Sequence, residues 1–163
     1  MAALAPFRCA AASRPAGDPE PLDYLRSEED QKTGAIDLTL EAFLSTSAMR
    51  AAGLPAHPLS RANLRGLYWT PAQLIAHHTS NGCNLLLGDL LATGTVSGRE
   101  DESAGCLLEL TAGGAKPVLL PNGERRGSLE DGDEVILRGV CRRDGFPEIS
   151  LGECRGIILP ALL

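Results

Sequence analysis

The sequence predicts a mainly β chain of the α+β class, with antiparallel strands and one clear helix near residues 70–80. Three observations predict it. Residues 35–43 alternate apolar and polar side chains, so Ile36, Leu38 and Leu40 share one face while Asp37, Thr39 and Glu41 share the other. That period of two marks a half-buried strand. The stretch from residue 89 onward holds short β-like runs separated by Gly, Asn and Asp. Between these regions, Thr70-Pro71 combines a good N-cap with a proline at the favoured first helical position.

The elements follow in order. Residues 1–34 read as an extended, proline-rich lead-in segment, because Pro6, Pro15, Pro19 and Pro21 forbid a long helix. The charged run over 26–32 reads as a solvated turn. Residues 45–65 are broken by Gly53, Pro55 and Pro58 into short pieces. The helix begins at Thr70 and closes near Asn81-Gly82, with Leu67, Leu74 and His78 on one stripe. Strands are expected over 89–98, 106–111, 117–124, 131–141 and 147–153, with a turn at Asn122-Gly123. The first third offers little that could form a partner layer, so the sheet is expected to be incomplete on its own.

Composition narrows the function classes. Of 163 residues, 44% are hydrophobic and 22% charged, with a mean hydropathy of −0.02, which fits a folded chain with a core and not wholesale disorder. Aromatics reach only 4%, so Leu, Ala, Val and Ile must fill that core. The net charge of −6 argues against general nucleic-acid binding, which needs a basic face. No apolar run approaches the roughly 18–20 residues that span a bilayer. The start lacks a basic region and is interrupted by Pro6 and Arg8, so it is a poor secretory signal. The cysteines, Cys9, Cys83, Cys106, Cys141 and Cys154, are odd in number and never spaced C-x-x-C. Reduced, mostly buried thiols in a cytoplasmic protein are the expectation.

Few residues carry recognisable chemistry. Thr93, Thr95 and Ser97 would project on one face of a strand flanked by Gly94 and Gly98, forming a cradle of hydroxyls and amides for a carboxylate or an ordinary polar strand face. Glu109 sits in the apolar run Leu107-Leu108-Glu109-Leu110. It is either a carboxylate that orients a histidine base or a solvent-facing strand residue. His77 and His78 diverge by about 100° on a helix and cannot share a metal on one face, so His78 reads as a packed core histidine and His77 as a surface one. The acidic clusters at 28–30, 100–102 and 130–134 lack the spacing of a calcium loop and read as solvated turns.

Several segments, in order, match one family. They are Tyr68-Trp69-Thr70, Gln73-Leu74, His77-His78, Asn81-Gly82-Cys83-Asn84-Leu85, Gly88-Asp89-Leu90-Leu91-Ala92, Gly94-Thr95-Val96-Ser97-Gly98, Leu108-Glu109-Leu110 and Asp131-Gly132-Asp133-Glu134-Val135. Together with Gly152-Glu153-Cys154-Arg155-Gly156 they resemble the fumarylacetoacetase family, in the latter portion of its catalytic domain. A weaker match extends to Ala3-Leu4-Ala5-Pro6-Phe7 and Asp18-Pro19-Glu20-Pro21-Leu22.

The resemblance implies a mixed β-sandwich roll, of which residues 35–163 are an incomplete part. It implies a hydrolase that cleaves a carbon–carbon bond of 4-fumarylacetoacetate to fumarate and acetoacetate in tyrosine and phenylalanine breakdown. A small diketo acid is then the substrate, and the complete enzyme is a homodimer. By position, Thr95 resembles the family's substrate-binding threonine, and Glu109 resembles the catalytic glutamate that partners its histidine base. The family uses Ca2+ or Mg2+, but its metal carboxylates and its catalytic histidine lie upstream of the matched segment, so no metal ligand is expected in this chain. His57, His77 and His78 match none of the family's site residues. The chain alone is therefore expected to be inactive, and a non-catalytic remnant or interaction module is the alternative. Leu87 stands where the family usually carries proline in its L-x-P-G-D turn.

Overall fold

The computed structural model describes residues 2–162, and Met1 and Leu163 lie outside them. A 3-10 turn over Ala2–Phe7, held short by Pro6, leads into β1 (Arg8–Cys9). The run expected as a solvated turn is instead α1 (Glu28–Thr33). Its cause is local. The Ser27 hydroxyl accepts the Asp30 amide at 3.2 Å, three acids fill the first turn and Lys32 the last, so charge complements the helix dipole. β2 (Ala35–Ile36) pairs antiparallel with β1. β3 (Thr39–Ser45) follows after a break at Asp37 and Leu38, so the strand expected over 35–43 forms in two pieces.

Residues 45–65 hold more structure than their breakers suggest. α2 (Ser47–Ala51) is capped by Thr46, whose hydroxyl accepts the Met49 amide at 3.1 Å. β4 (His57–Asn63) contains Pro58, which is tolerated because β4 lies at a sheet edge and the ladder shifts beside it. α3 (Pro71–Thr79) starts at the expected Thr70 cap, with Gln73 completing a capping box. α4 (Leu107–Leu110) replaces the strand expected over 106–111. Leu and Glu are good helix formers and the run has no β-branched residue before Thr111, so a short apolar stretch was free to go either way. The strand expected over 89–98 does not form. Gly88 and Gly94 take positive φ, and no strand among the described residues lies alongside to pair. β5 (Val118–Leu119) and β6 (Arg125–Arg126) make a hairpin around Asn122-Gly123, where Gly123 has φ +88°. β7 (Glu134–Cys141) and β8 (Ile149–Ile157) complete the chain.

The architecture is α+β, and every strand pair among the described residues is antiparallel. The main sheet runs β4-β3-β7-β8. Opposite residues such as Leu40, Ala62 and Gly139, or Leu44 and Val135, share its apolar face. On the other face Glu41, Arg61, Arg138 and Glu153 sit in register and form cross-strand ion pairs. Two clusters cover the apolar face. Phe7, Ile36, Leu38 and Cys141 pack at one end, and Leu44, Met49 and Leu120 at the other. The 130–134 region corrects an expectation. Asp133 is fully buried, held by Arg126, because the tight turn at Gly132 folds it under the β5–β6 hairpin instead of out to water.

Candidate functional site

Between α3 and α4 the chain is loop apart from one 3-10 turn, Asp101–Ser103, which packs on β4. The loop over 94–105 is closed on itself. The Gly98 amide donates to the Ser103 carbonyl at 2.8 Å and the Glu100 amide to Ser103 Oγ at 3.1 Å. A methyl group on Gly98 would lie 2.3 Å from Ser103 Oγ, so only glycine permits this closure. Thr95, Val96 and Gly105 line a cavity of about 230 Å³ together with Leu40, Ala42, Ser60 and Ala62 from the sheet. The small side chains at 42, 60 and 62 leave that space between the two core clusters.

Thr93, Thr95 and Ser97 part company, because without a ladder no alternation holds their hydroxyls on one side. Thr93 Oγ1 turns back to the Gly94 carbonyl at 3.0 Å. Thr95 faces the cavity. Its methyl group presses on Gly105, where an added Cβ would stand 2.3 Å from Thr95 Cγ2. Ser97 Oγ donates to Glu109 Oε2 at 2.6 Å. The Gly105 amide donates to the same oxygen and to Ser97 Oγ, both at 3.1 Å. Thr95 and Glu109, 14 positions apart in the numbering, thus both meet Gly105.

Glu109 stands on α4 with an exposed side chain, so it never pays the burial cost that a strand interior would impose. α4 is anchored from behind by Thr111, which is fully buried. Its hydroxyl bridges the Leu107 and Gly127 carbonyls at 2.8 and 3.0 Å and accepts the Gly114 amide at 3.0 Å. Sequence reasoning missed both Gly105 and Thr111. A glycine between Ala104 and Cys106 carries no pattern, and the partners of Thr111 are fixed only by the fold.

The histidines stand apart from this site. His77 and His78 are both exposed, which corrects the expectation of a packed His78. α3 turns its Gln73 face inward, where Gln73 donates to the Leu25 carbonyl at 2.9 Å, so Leu74 is half-buried while His78 lies out in solvent. His77 Nδ1 lies 2.8 Å from the Tyr24 hydroxyl, and His78 Nε2 lies 3.5 Å from Cys83 Sγ. His57 is half-buried on β4.

All five cysteines are free, but only Cys141 is buried, whereas Cys83 and Cys154 are exposed. The expectation of mostly buried thiols thus holds for one of them. Burial pushes the Cys141 thiol above its ordinary pKa, helped by the nearby Asp37 charge. Among the described residues no three His, Cys, Asp or Glu side chains gather to hold a metal ion. The side chains present do not by themselves make a metal centre. No helix among the described residues is long and apolar enough to cross a membrane.

What the arrangement offers is a carboxylate held by one of its oxygens, beside a threonine facing a cavity. Comparison with known proteins bears on that pairing. The chain is 46% identical over 162 residues to fumarylacetoacetase of Bos taurus, covering 99% of this chain and 36% of that protein. It is 45% identical over 163 residues to the fumarylacetoacetase of Homo sapiens and 46% over 159 residues to that of Arabidopsis thaliana. The chain therefore spans about a third of the length of these relatives. The family model described as fumarylacetoacetate (FAA) hydrolase C-terminal matches residues 28–156, and the chain belongs to that family.

Proposed function

We propose that this chain supplies one wall of a fumarylacetoacetase active site, in which Thr95 binds the substrate and Glu109 orients and charges a histidine base held outside this segment. The observation that carries the reading is the convergence of Thr95 and Glu109 on Gly105, at the mouth of a cavity. The substrate is 4-fumarylacetoacetate. The histidine takes a proton from water, and the hydroxide adds to the carbonyl beside the fumaryl arm. Collapse of the adduct breaks the carbon–carbon bond, releasing fumarate and an acetoacetate enolate that regains a proton. Glu109 accepts the imidazole N–H, fixes its tautomer and stabilises the imidazolium that forms. Thr95 holds the diketo acid against the sheet.

The same reading places residues 35–163 within the family's mixed β-sandwich roll and leaves 1–34 as its lead-in. The two open edges of the main sheet, β4 and β8, support a roll completed by further chain. A homodimer, a Ca2+ or Mg2+ ion bound by residues outside this segment, and a cytoplasmic location belong to the proposal. The five unpaired cysteines support the last.

The test is exchange of the matched third of the bovine relative for this chain. The chimaera should turn over fumarylacetoacetate, and the purified 163-residue chain alone should not. A chimaera that folds and dimerises but is inert would favour the alternative of a non-catalytic interaction module, a reading also served by the exposed Leu86, Leu87, Leu90 and Leu91.

A further inference from the structure

We infer that Ser97 and the Gly105 amide form a positioning clamp for Glu109, a role that rests on the proposed function of that carboxylate. An exposed glutamate on a four-residue helix has several rotamers open to it. Here one oxygen is taken. Oε2 accepts the Ser97 hydroxyl at 2.6 Å and the Gly105 amide at 3.1 Å, and the amide also reaches Ser97 Oγ at 3.1 Å. The three groups close a ring of short contacts around one oxygen atom. Oε1 makes no hydrogen bond among the described residues and is the atom left to meet an imidazole N–H.

The chemistry of the clamp matters as much as its geometry. Both donors are neutral. A lysine or arginine at position 97 would hold the carboxylate equally well but would satisfy the charge that an imidazolium needs. No cation forms an ion pair with Glu109 among the described residues. The clamp therefore fixes direction and leaves the negative charge in place.

Each half of the clamp has its own support. Ser97 precedes the Gly98–Ser103 closure, which sets the loop. Glu109 rides on α4, which Thr111 ties to the Gly127 carbonyl. Gly105 joins the halves, and it must be glycine. A Cβ there would lie 2.3 Å from Thr95 Cγ2 and 2.5 Å from the Val96 carbonyl oxygen. The same residue that orients Glu109 thus seats Thr95, so the substrate-facing and base-facing groups share one hinge point.

Two measurements test the clamp. The first uses the 163-residue chain alone, reading Glu109 side-chain couplings and its carboxyl carbon by NMR in the parent, Ser97→Ala and Ser97→Thr. The parent and Ser97→Thr should show one dominant Glu109 rotamer and Ser97→Ala an averaged set. A Glu109 that stays fixed in Ser97→Ala overturns the clamp, whatever the enzyme does. The second uses the bovine chimaera. Ser97→Ala should lower kcat by about tenfold to a hundredfold, the scale of a misplaced catalytic group, with KM little changed. In a Glu109→Gln background the same change should cost nothing more, because Ser97 acts through Glu109. Losses that multiply would assign Ser97 a merely structural part and overturn the proposal. A Glu109→Gln chimaera at the parent rate would instead sink the reading of Glu109 itself, a result the NMR experiment cannot produce.

Discussion

Arg126 grips Asp133 by two parallel hydrogen bonds, Nε to Oδ2 at 2.9 Å and Nη2 to Oδ1 at 3.1 Å, with both side chains almost wholly buried. Asp133 Oδ2 also accepts the Glu130 amide at 2.9 Å, so the pair pins the 130–133 turn to β6. Hydrogen bonding to Asp133 raises the Arg126 pKa further against the pull of desolvation. Removing one partner of such a pair leaves an uncompensated charge. Asp133→Asn should therefore cost about 3 kcal/mol, the lower end for broken buried pairs, since Glu124 and Glu130 still face Arg126. Urea unfolding of the two chains measures it, and a loss under 1 kcal/mol would show that the pair is not a keystone.

Glu124 gives the fold an acid-side sensitivity. Hydrogen bonds from Thr46 and Asn122, with Arg126 nearby, hold its carboxyl below the usual carboxylate range despite some desolvation. The unfolded chain therefore binds this proton first as pH falls, so the stabilisation is full above the ordinary carboxylate pKa and fades as pH drops through the lowered one. Glu124→Gln should be less stable than the parent at neutral pH, and the gap should close in acid. Urea midpoints from pH 7 downward read this directly, and a gap that widens in acid would reverse the assignment.

Thr70 couples the lead-in segment to α3. Its hydroxyl accepts the Gln73 amide at 3.2 Å and donates to Asp30 Oδ2 at 2.6 Å, and the side chain is buried. Thr70→Ala removes the cap and strands Asp30, and a loss of about 1–2 kcal/mol is expected. Thr70→Ser should recover most of it. Hydrogen exchange should quicken in both α1 and α3, and an effect confined to α3 would mean the Asp30 contact carries no coupling.

The segment before the site is unusually apolar for an exposed loop. Leu87 and Leu90 are essentially fully exposed, and Leu86 is 72% exposed. Contiguous apolar surface of this kind drives association. The chain alone should self-associate in sedimentation, and Leu87→Asp with Leu90→Asp should shift it toward monomer with little change in thermal midpoint. A parent chain that is already monomeric at tens of micromolar would contradict this.

Local pattern in the sequence settled the parts of this protein whose cause is local. Thr70-Pro71 set the start of α3, Asn122-Gly123 set a hairpin, and the spacing of Ile36, Leu38 and Leu40 marked three side chains that meet in one core cluster. The motif around Thr95 and Glu109 was legible too, as a family resemblance. Tertiary structure decided what local energies leave balanced. Residues 106–111 fit strand or helix about equally, and the Thr111 contacts with Gly127 and Gly114 favour the helix. Asp133 looked like one more acid in a solvated turn until Arg126 folded over it. The meeting of Ser97, Gly105 and Glu109 has no sequence signature, because periodicity tells a residue which way to face and never which distant residue it will find there.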